Sequence, residues 1–174
     1  MFYALMIDSN GNGMGSHTYV EEPSSYPSNE IPCTEAQAKN PMAYQVANGQ
    51  VVESLPYAKT SQIALLQSAF QKAEQAPVSL TLASGITTSF GMTPHDWTKI
   101  VGLYSKYVAK GIALPSGYQI PDANGTLQAV TVTDIENLFN AGETQMTGAI
   151  AKLASLVAQV QSATTVSAVQ AIVW

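Results

Sequence analysis

The stretch TPHDW at positions 93–97 places one of the two histidines of the chain beside an aspartate. An imidazole next to a carboxylate is a pair that general acid–base catalysis often uses, so His95 and Asp96 are the first candidates for chemistry. The local pattern favours another role, because Thr93 suits an N-cap, Pro94 the first helical position and Asp96 the third. Adjacent helical residues do not face each other. We therefore expect a helix start here, with His95 open as a base or metal ligand with distant partners.

The other titratable candidates are separated from one another in the sequence. Nothing in the sequence links His17, in the N-terminal part, to His95. Glu21 and Glu22 form a carboxylate pair in a proline-rich loop, where a solvated charge is a simpler interpretation than acid–base work. Cys33 is the single cysteine and has no neighbouring His or Lys to activate its thiol. We expect it to pack in a hydrophobic staple, and the roles of His17, His95 and Cys33 stay open.

Two short stretches are similar to ligand-binding loops, but each lacks a required residue. GNGMG at 11–15 fails the G-x-G-x-x-G pattern at its last glycine. Asp122, Asn124 and Gly125 match the start of an EF-hand loop, but Thr133 stands where that loop needs a glutamate. Both stretches are interpreted as turns. Without a nucleophile elbow, HExxH or P-loop, the sequence predicts no catalytic, cofactor-binding or metal site.

Tyrosines are concentrated in the first third of the chain. They support two interpretations: an aromatic patch that binds sugar or protein, or strand residues that pack on one face of a sheet. The high β-propensity of tyrosine favours packing. The residues are Tyr3, Tyr19, Tyr26, Tyr44 and Tyr57.

The charge composition excludes several classes of function. The 174 residues carry a net charge of −5, and all seven basic residues are scattered lysines. They make no basic stripe for nucleic acid or an anionic membrane. Charged residues make up 11%, less than half of the usual share of about a quarter, which indicates a surface covered in an assembly. We also expect no signal peptide and no membrane-spanning segment, and hence a soluble protein made in a cytoplasm.

Hairpin and helix signals alternate along the chain and predict an α+β fold. Residues 1–55 are predicted to form a small β-rich unit that attaches to a partner, and residues 56–174 an α+β domain of helices packed with hairpins. The N-terminal signals are strands at 2–8 and 16–20, an extended loop at 21–32, a capping box at Thr34–Gln37 and a hairpin around Asn48-Gly49.

The second predicted domain ends in a long helix. Its helix over 134–161, about 40 Å long if continuous, follows a capping box at Thr133–Glu136, and Ala141-Gly142 is a candidate break or bend. The remaining signals are a helix at 57–76, hairpins around Ser84-Gly85 and 122–125, a helix from Thr93 to Gly111, and a short amphipathic piece at 165–174.

The order of elements over 57–174 resembles a domain of unknown function of tailed bacteriophages and prophages, found in small proteins encoded beside, or fused to, tail fibres. Two motifs carry the resemblance: TVTDIENL, with its helix start at Thr133–Leu138, and ATTVSAVQAIVW at Ala163–Trp174. The segment CTEAQAKNPMAYQVANGQVVE at 33–53 is similar to the leading segments of phage tail-fibre and tail-fibre assembly proteins. Together these stretches cover most of the chain.

The resemblance implies a non-enzymatic protein that binds a phage tail fibre or baseplate, as a virion component or as an assembly chaperone. It would act in the virion tail or in the host cytoplasm during assembly, and a trimeric fibre partner implies a homotrimer. The family has no agreed catalytic residues, and an arginine common in its first helix is absent here. Hairpin edges open to strand addition and the lack of catalytic clusters agree with this function.

Two other functions are weighed beside it. A receptor- or carbohydrate-binding module would use the N-terminal tyrosines. A glycan-degrading enzyme would need two carboxylates facing each other across a cleft, which the twelve scattered acidic residues do not favour.

Overall fold

A computed structural model describes all residues, 1–174. Contacts group residues 1–66 and 156–173 in one compact unit, called unit 1. Residues 67–155 and Trp174 form the other, called unit 2. The predicted division after residue 55 assumed two consecutive segments, whereas each unit takes residues from separate parts of the chain. The assignment of 1–55 and 56–174 as independent domains stays a prediction.

The α+β class is confirmed, since helices alternate with small antiparallel sheets throughout. The helices are α1 (Glu35–Lys39), α2 (Leu55–Glu74), α3 (Pro94–Leu103), α4 (Val132–Ser162) and α5 (Val166–Gln170), with a 3-10 turn at Pro41–Ala43 and a π-helical turn at Tyr104–Ala109. The strands are β1 (Phe2–Ile7), β2 (Gly13–Tyr19), β3 (Glu30–Cys33), β4 (Tyr44–Ala47), β5 (Gln50–Glu53), β6 (Val78–Thr81), β7 (Thr87–Phe90), β8 (Gln119–Pro121) and β9 (Leu127–Ala129).

Unit 1 contains a three-stranded antiparallel sheet with the order β2-β1-β3. The predicted hairpin of β1 and β2 is confirmed. The prediction of an extended loop over 21–32 is wrong at its end, because β3 pairs with β1 from Met6↔Glu30 to Tyr3↔Cys33. The strand was not predicted because it contains Pro32, and proline is unusual in a sheet interior. It is tolerated here because β3 is an edge strand.

Local signals also set the next two elements of unit 1. The Thr34 capping box is confirmed: its hydroxyl accepts from the Gln37 N–H at 3.3 Å, and the Thr34 N–H donates to the Gln37 side chain at 2.8 Å. The predicted β4–β5 hairpin is present around Asn48 and Gly49. Both residues have positive φ, 53° and 76°, as a type I′ turn requires.

Side chains of α2 tie the C-terminal segment into unit 1. The Lys59 ammonium donates to the Gln161 carbonyl and the Gln62 amide donates to the Ile172 carbonyl, each at 2.6 Å. Apolar burial accompanies these bonds, with Leu66, Val160 and Val169 all fully buried. Neither long helix carries the apolar run that a bilayer crossing requires.

Unit 2 is built around one apolar core between its two hairpins, β6–β7 and β8–β9, and helices α3 and α4. The Tyr104 ring stacks on Phe139 with centroids 4.0 Å apart, and Trp97 stacks on Phe139 at 5.4 Å. The buried members of this core are Val78, Leu82, Phe90, Met92, Ile100, Tyr107, Ile120, Val130, Ile135 and Leu138.

Helix α4 is continuous over 31 residues, about 46 Å. The expected break at Ala141-Gly142 does not occur. Gly142 instead leaves room for Trp97, because a Cβ at this position would overlap the indole ring. The glycine therefore serves packing between helices.

The predicted capping box at Thr133–Glu136 is wrong by two residues. The helix begins at Val132, and the Asp134 N–H donates to the Thr131 hydroxyl oxygen at 3.2 Å. The Asp134 carboxylate accepts from the Thr131 N–H at 2.8 Å, which completes the box. It also accepts from the Ala83 N–H in the β6–β7 turn at 2.8 Å, so tertiary contact selects the earlier threonine.

Candidate functional site

The TPHDW stretch starts helix α3 as predicted. The Asp96 N–H donates to the Thr93 hydroxyl oxygen at 3.3 Å, Pro94 occupies the first turn, and the Thr93 hydroxyl donates to Asp96 at 2.6 Å. His95 is exposed on that turn and takes part in no hydrogen bond or ion pair. The structure therefore does not join His95 to Asp96 as a pair.

The other histidine belongs to a polar cluster that the sequence did not reveal. The buried Glu30 carboxylate, with a side chain only 4% exposed, contacts His17 Nδ1 at 2.6 Å. Its second oxygen accepts from the Tyr19 hydroxyl at 2.5 Å, and the Tyr26 ring meets Tyr19 edge-on. The hydrogen bond to Glu30 raises the pKa of Tyr19 above its ordinary value. We call His17, Tyr19 and Glu30 the Glu30 cluster.

Strand register assembles the Glu30 cluster. His17 on β2 lies opposite Ala4 on the central strand β1, and Glu30 on β3 lies opposite Met6. Ala4 and Met6 are two residues apart, so all these side chains point to the same face of the sheet. The small, fully buried Ala4 lets Glu30 reach His17 across the central strand. Sequence reasoning missed Glu30 because it assigned this residue to a loop.

The chemistry of the Glu30 cluster is half of a general-base arrangement. A carboxylate that accepts from Nδ1 fixes the ring orientation and leaves Nε2 as the second imidazole nitrogen, on a side chain that is 53% exposed. A nucleophile is needed to complete such a site. The adjacent Ser16 lies on the opposite face, where its hydroxyl donates to the Ala38 carbonyl at 2.8 Å. The cluster thus ties β2 to β3.

The remaining predicted candidates lie apart. Glu21 and Glu22 are both exposed. Cys33 is half-buried at the end of β3, directly before the α1 N-cap, and burial raises the pKa of its thiol. The turn predicted for the GNGMG stretch is confirmed only at Gly11, which has a φ of 80°. It is wrong for Gly13–Gly15, which belong to strand β2 and pair with β1.

Asp122 acts as the turn former that the sequence indicated. One carboxylate oxygen accepts from the Asn124 and Thr126 N–H groups, each at 2.9 Å. The other accepts from the Thr88 hydroxyl at 2.9 Å and the Gln128 amide at 3.0 Å. Burial alone would raise the pKa of Asp122, but these bonds outweigh it, and the pKa lies below its ordinary value. The bonds join β7 to the β8–β9 hairpin.

The N-terminal tyrosines do not share one surface. Tyr3 lies opposite Thr18, and Tyr19 opposite Phe2, so their side chains point to opposite faces of the sheet. Tyr44 and Tyr57 line a separate cavity of about 330 Å³ in unit 1. A single aromatic patch formed by all five is therefore not what the fold presents.

Strand β5 presents an open edge beside that cavity, which we call the Tyr44 cavity. It pairs with β4 alone, and Gln50, Val52 and Glu53 are exposed. In a hairpin with a two-residue turn, the residues flanking the turn bond to each other, so Val51 directs its N–H away from β4. The opposite residue, Val46, shows the same outward orientation, because the Val46 N–H donates to the Gly11 carbonyl at 2.8 Å and not to β5.

Unit 2 contains a larger cleft of about 860 Å³, which we call the α3 cleft. One wall is α3 with its π-helical extension, and the other is the segment from Tyr118 to Ala123 that includes β8. Phe90, Ile100 and Leu138 lie at its apolar base. Sequence reasoning missed this cleft, because its two walls are separate in the chain.

No group of three or more His, Cys, Asp or Glu side chains is placed to hold a metal ion. Comparison of the chain with protein-family models, with curated proteins and with solved structures finds no match. We therefore infer function from the edges, clusters and cavities described above.

Proposed function

We propose that this protein is a non-enzymatic bacteriophage tail protein that binds a tail-fibre or baseplate protein by strand addition at β5. The resemblance of 33–53 and 57–174 to phage tail-associated sequences supports the assignment to a phage tail. The single observation that carries the mode of binding is the open edge of β5. It belongs to the same 33–53 segment that is similar to tail-fibre proteins.

The β5 edge has the features that strand addition uses. An added strand gains affinity from main-chain hydrogen bonds and specificity from pockets that take alternate side chains. The outward N–H of Val51 supplies a donor. Natural edge strands are often protected by lysine or proline, and β5, with the sequence QVVE, has neither. Its four residues limit the ladder to a few bonds, so the partner also needs side-chain contacts.

The Tyr44 cavity supplies a place for such a contact. Glu53, the last residue of β5, lines this cavity together with Tyr44 and Tyr57. Leu65, an exposed apolar residue of α2, lies on its wall. An aromatic side chain of the added strand fits this lining, because the lining combines apolar residues such as Leu65 and Val166 with polar side chains.

The test is co-expression of this protein with each fibre and baseplate protein of the phage genome that encodes it, followed by affinity capture. We expect one of them to be retained. Val51→Pro removes the outward donor but no β4–β5 bond and should abolish capture, whereas Val51→Ala keeps the N–H and should preserve it. Equal melting temperatures of both variants establish that each is folded.

Mass spectrometry of purified virions separates the two forms of the proposal. A virion component is present at fixed stoichiometry, and an assembly chaperone is absent from virions but retained on the fibre during co-expression. Absence from both samples would refute the proposal. Capture that Val51→Pro leaves intact would refute strand addition at β5.

A further inference from the structure

The α3 cleft has the size and lining of a small-molecule site. Its volume of about 860 Å³ lies within the roughly 300–1,000 Å³ that such sites span. Apolar and aromatic side chains form its base and walls, among them Phe90, Tyr107 and Tyr118. A site of this kind takes the apolar body of a ligand and leaves polar groups near the mouth to orient it.

The polar groups of the cleft differ in what they already bind. Asp122 accepts four hydrogen bonds from its own hairpin and from β7, and Asp96 accepts one from the Thr93 hydroxyl at the start of α3. Lys99 and Lys106 also line the cleft, and neither is paired with a carboxylate. The carboxylates are therefore engaged within the fold, while the ammonium groups remain as donors for a ligand.

Both lysines belong to the same wall of the cleft. Lys99 lies on α3 and Lys106 on its π-helical extension, and both line the cleft. The segment from Tyr104 to Ala109 is π-helical, with the Lys110 N–H donating to the Ser105 carbonyl five residues back at 3.2 Å. The Lys106 ammonium lies over the Tyr107 ring, 4.9 Å from its centroid. Short π-helical turns occur often at functional sites.

We propose that the α3 cleft binds a small amphipathic anion, with a ring or short alkyl body on the apolar base and its charged head at Lys99 and Lys106. This site is independent of the β5 edge and of the binding of a fibre protein. The pairing of an apolar body with an anionic head follows from the lining. Burial of the body provides affinity, and the two ammonium groups, neither of which is paired with a carboxylate, select the charge.

Fluorescence titration with anilinonaphthalene sulfonate, an aromatic anion, tests the proposal on the full chain. We expect saturable one-to-one binding, with N-phenylnaphthylamine as the uncharged probe of similar shape. Lys99→Gln combined with Lys106→Gln should raise the Kd of the sulfonate by roughly three- to tenfold, as expected for the loss of two partly exposed charge contacts. The Kd of the uncharged probe should not change. Lys72→Gln with Lys110→Gln is the control for net charge.

A second variant fills the cleft without disturbing the fold. Gly102 lines the cleft, and a Cβ there meets no heavy atom within 4 Å, so Gly102→Leu places a side chain in the opening. Gly148→Leu is the matched control, because Gly148 is also helical and equally unobstructed but does not line the cleft. We expect Gly102→Leu to raise the Kd of both probes at least about tenfold and Gly148→Leu to leave both unchanged.

Three outcomes would overturn the inference. The first is the absence of saturable binding by the natural chain. The second is equal binding by Gly102→Leu and Gly148→Leu, which places the probe elsewhere. The third is a sulfonate Kd that the double variant of Lys99 and Lys106 leaves unaltered, which would exclude an anion as the preferred ligand. Melting curves of every variant exclude unfolding as the cause of lost binding.

Discussion

Each unit buries a carboxylate, and the two satisfy it in different ways. Asp134 in unit 2 is 3% exposed and accepts from the N–H groups of Ala83 and Thr131, with the Thr131 hydroxyl as a third donor. Glu30 in unit 1 is 8% exposed, and its partners are the side chains of His17 and Tyr19. A buried charge without such partners is strongly unfavourable.

The difference lies in what the rest of the sequence must supply. The backbone N–H groups are present for any residue other than proline at Ala83 and Thr131, so two of the three hydrogen bonds to Asp134 depend on the chain path and not on side chains. Glu30 depends on two particular side chains of another strand. We therefore expect a change at Asp134 to remove all of its hydrogen bonds and a change at Thr131 to remove only one of the three, whereas the Glu30 cluster is broken from either side.

The largest effect should follow from Asp134→Ala. It leaves the N–H groups of Ala83 and Thr131 without their acceptor and so removes the half of the α4 capping box that Asp134 supplies. We expect the free energy of unfolding to fall by about 3 kcal/mol, from the loss of three hydrogen bonds to a charged, buried carboxylate. Urea denaturation measures it. Glu136→Ala, at an exposed position on the same helix, is the control and should change stability by less than about 0.5 kcal/mol. Equal losses in the two variants would contradict the comparison.

Gly142→Ala tests whether packing in unit 2 matters as much as capping. The added methyl overlaps Trp97 and so costs about 1–3 kcal/mol, which the better helix propensity of alanine offsets by about 1 kcal/mol. We expect a net loss of stability. Gly148→Ala meets no obstruction and should instead stabilise the protein by up to about 1 kcal/mol. Opposite signs in thermal denaturation are the expected result, and two stabilising changes would show that Trp97 moves aside freely.

Glu30→Gln should have a smaller effect on stability than Asp134→Ala. The amide keeps its size and one acceptor oxygen, so we expect a loss of about 1 kcal/mol in urea denaturation. The same change should lower the pKa of Tyr19 towards its ordinary value of 10.0, because the charged acceptor is gone. Ultraviolet absorbance of the phenolate follows that titration. Glu22→Gln, on an exposed loop, is the control, and a Tyr19 pKa that does not respond to Glu30→Gln would place its cause elsewhere.

The pH dependence should show the smallest effects, and Asp134 and Tyr19 should contribute to it in opposite directions. Burial alone would raise the pKa of Asp134, but the bonds from Thr131 and Ala83 lower it below 3.8, so its contribution is present above that pH and is lost as pH falls through the folded value. Tyr19 acts in reverse: its raised pKa gives stability below pH 10.0 that is lost as pH rises through the folded value. Melting temperatures measured across pH show both the loss of stability at low pH (the acid arm) and the loss at high pH. Asp134→Asn should flatten only the acid arm, and an unchanged acid arm would assign it to other carboxylates.

The sequence predicted the elements whose signals lie within four residues. The type I′ turn at Asn48-Gly49, the caps at Thr34 and Thr93 and the Asp122 turn all form as expected, because each donor and acceptor belongs to the same short stretch. These features establish where helices and hairpins begin and end, and with them the α+β class.

Contacts between distant stretches decided the rest. Thr131-x-x-Asp134 and Thr133-x-x-Glu136 have the same cap spacing, but Asp134 is buried and accepts from the Ala83 N–H, whereas Glu136 is exposed. Pairing of β3 with β1 formed the Glu30 cluster, and the approach of Trp97 explains Gly142. A local sequence pattern specifies which nearby backbone groups its side chains can bond to. Which side chain lies across from it depends on strand register and helix packing, and these are set by the whole core.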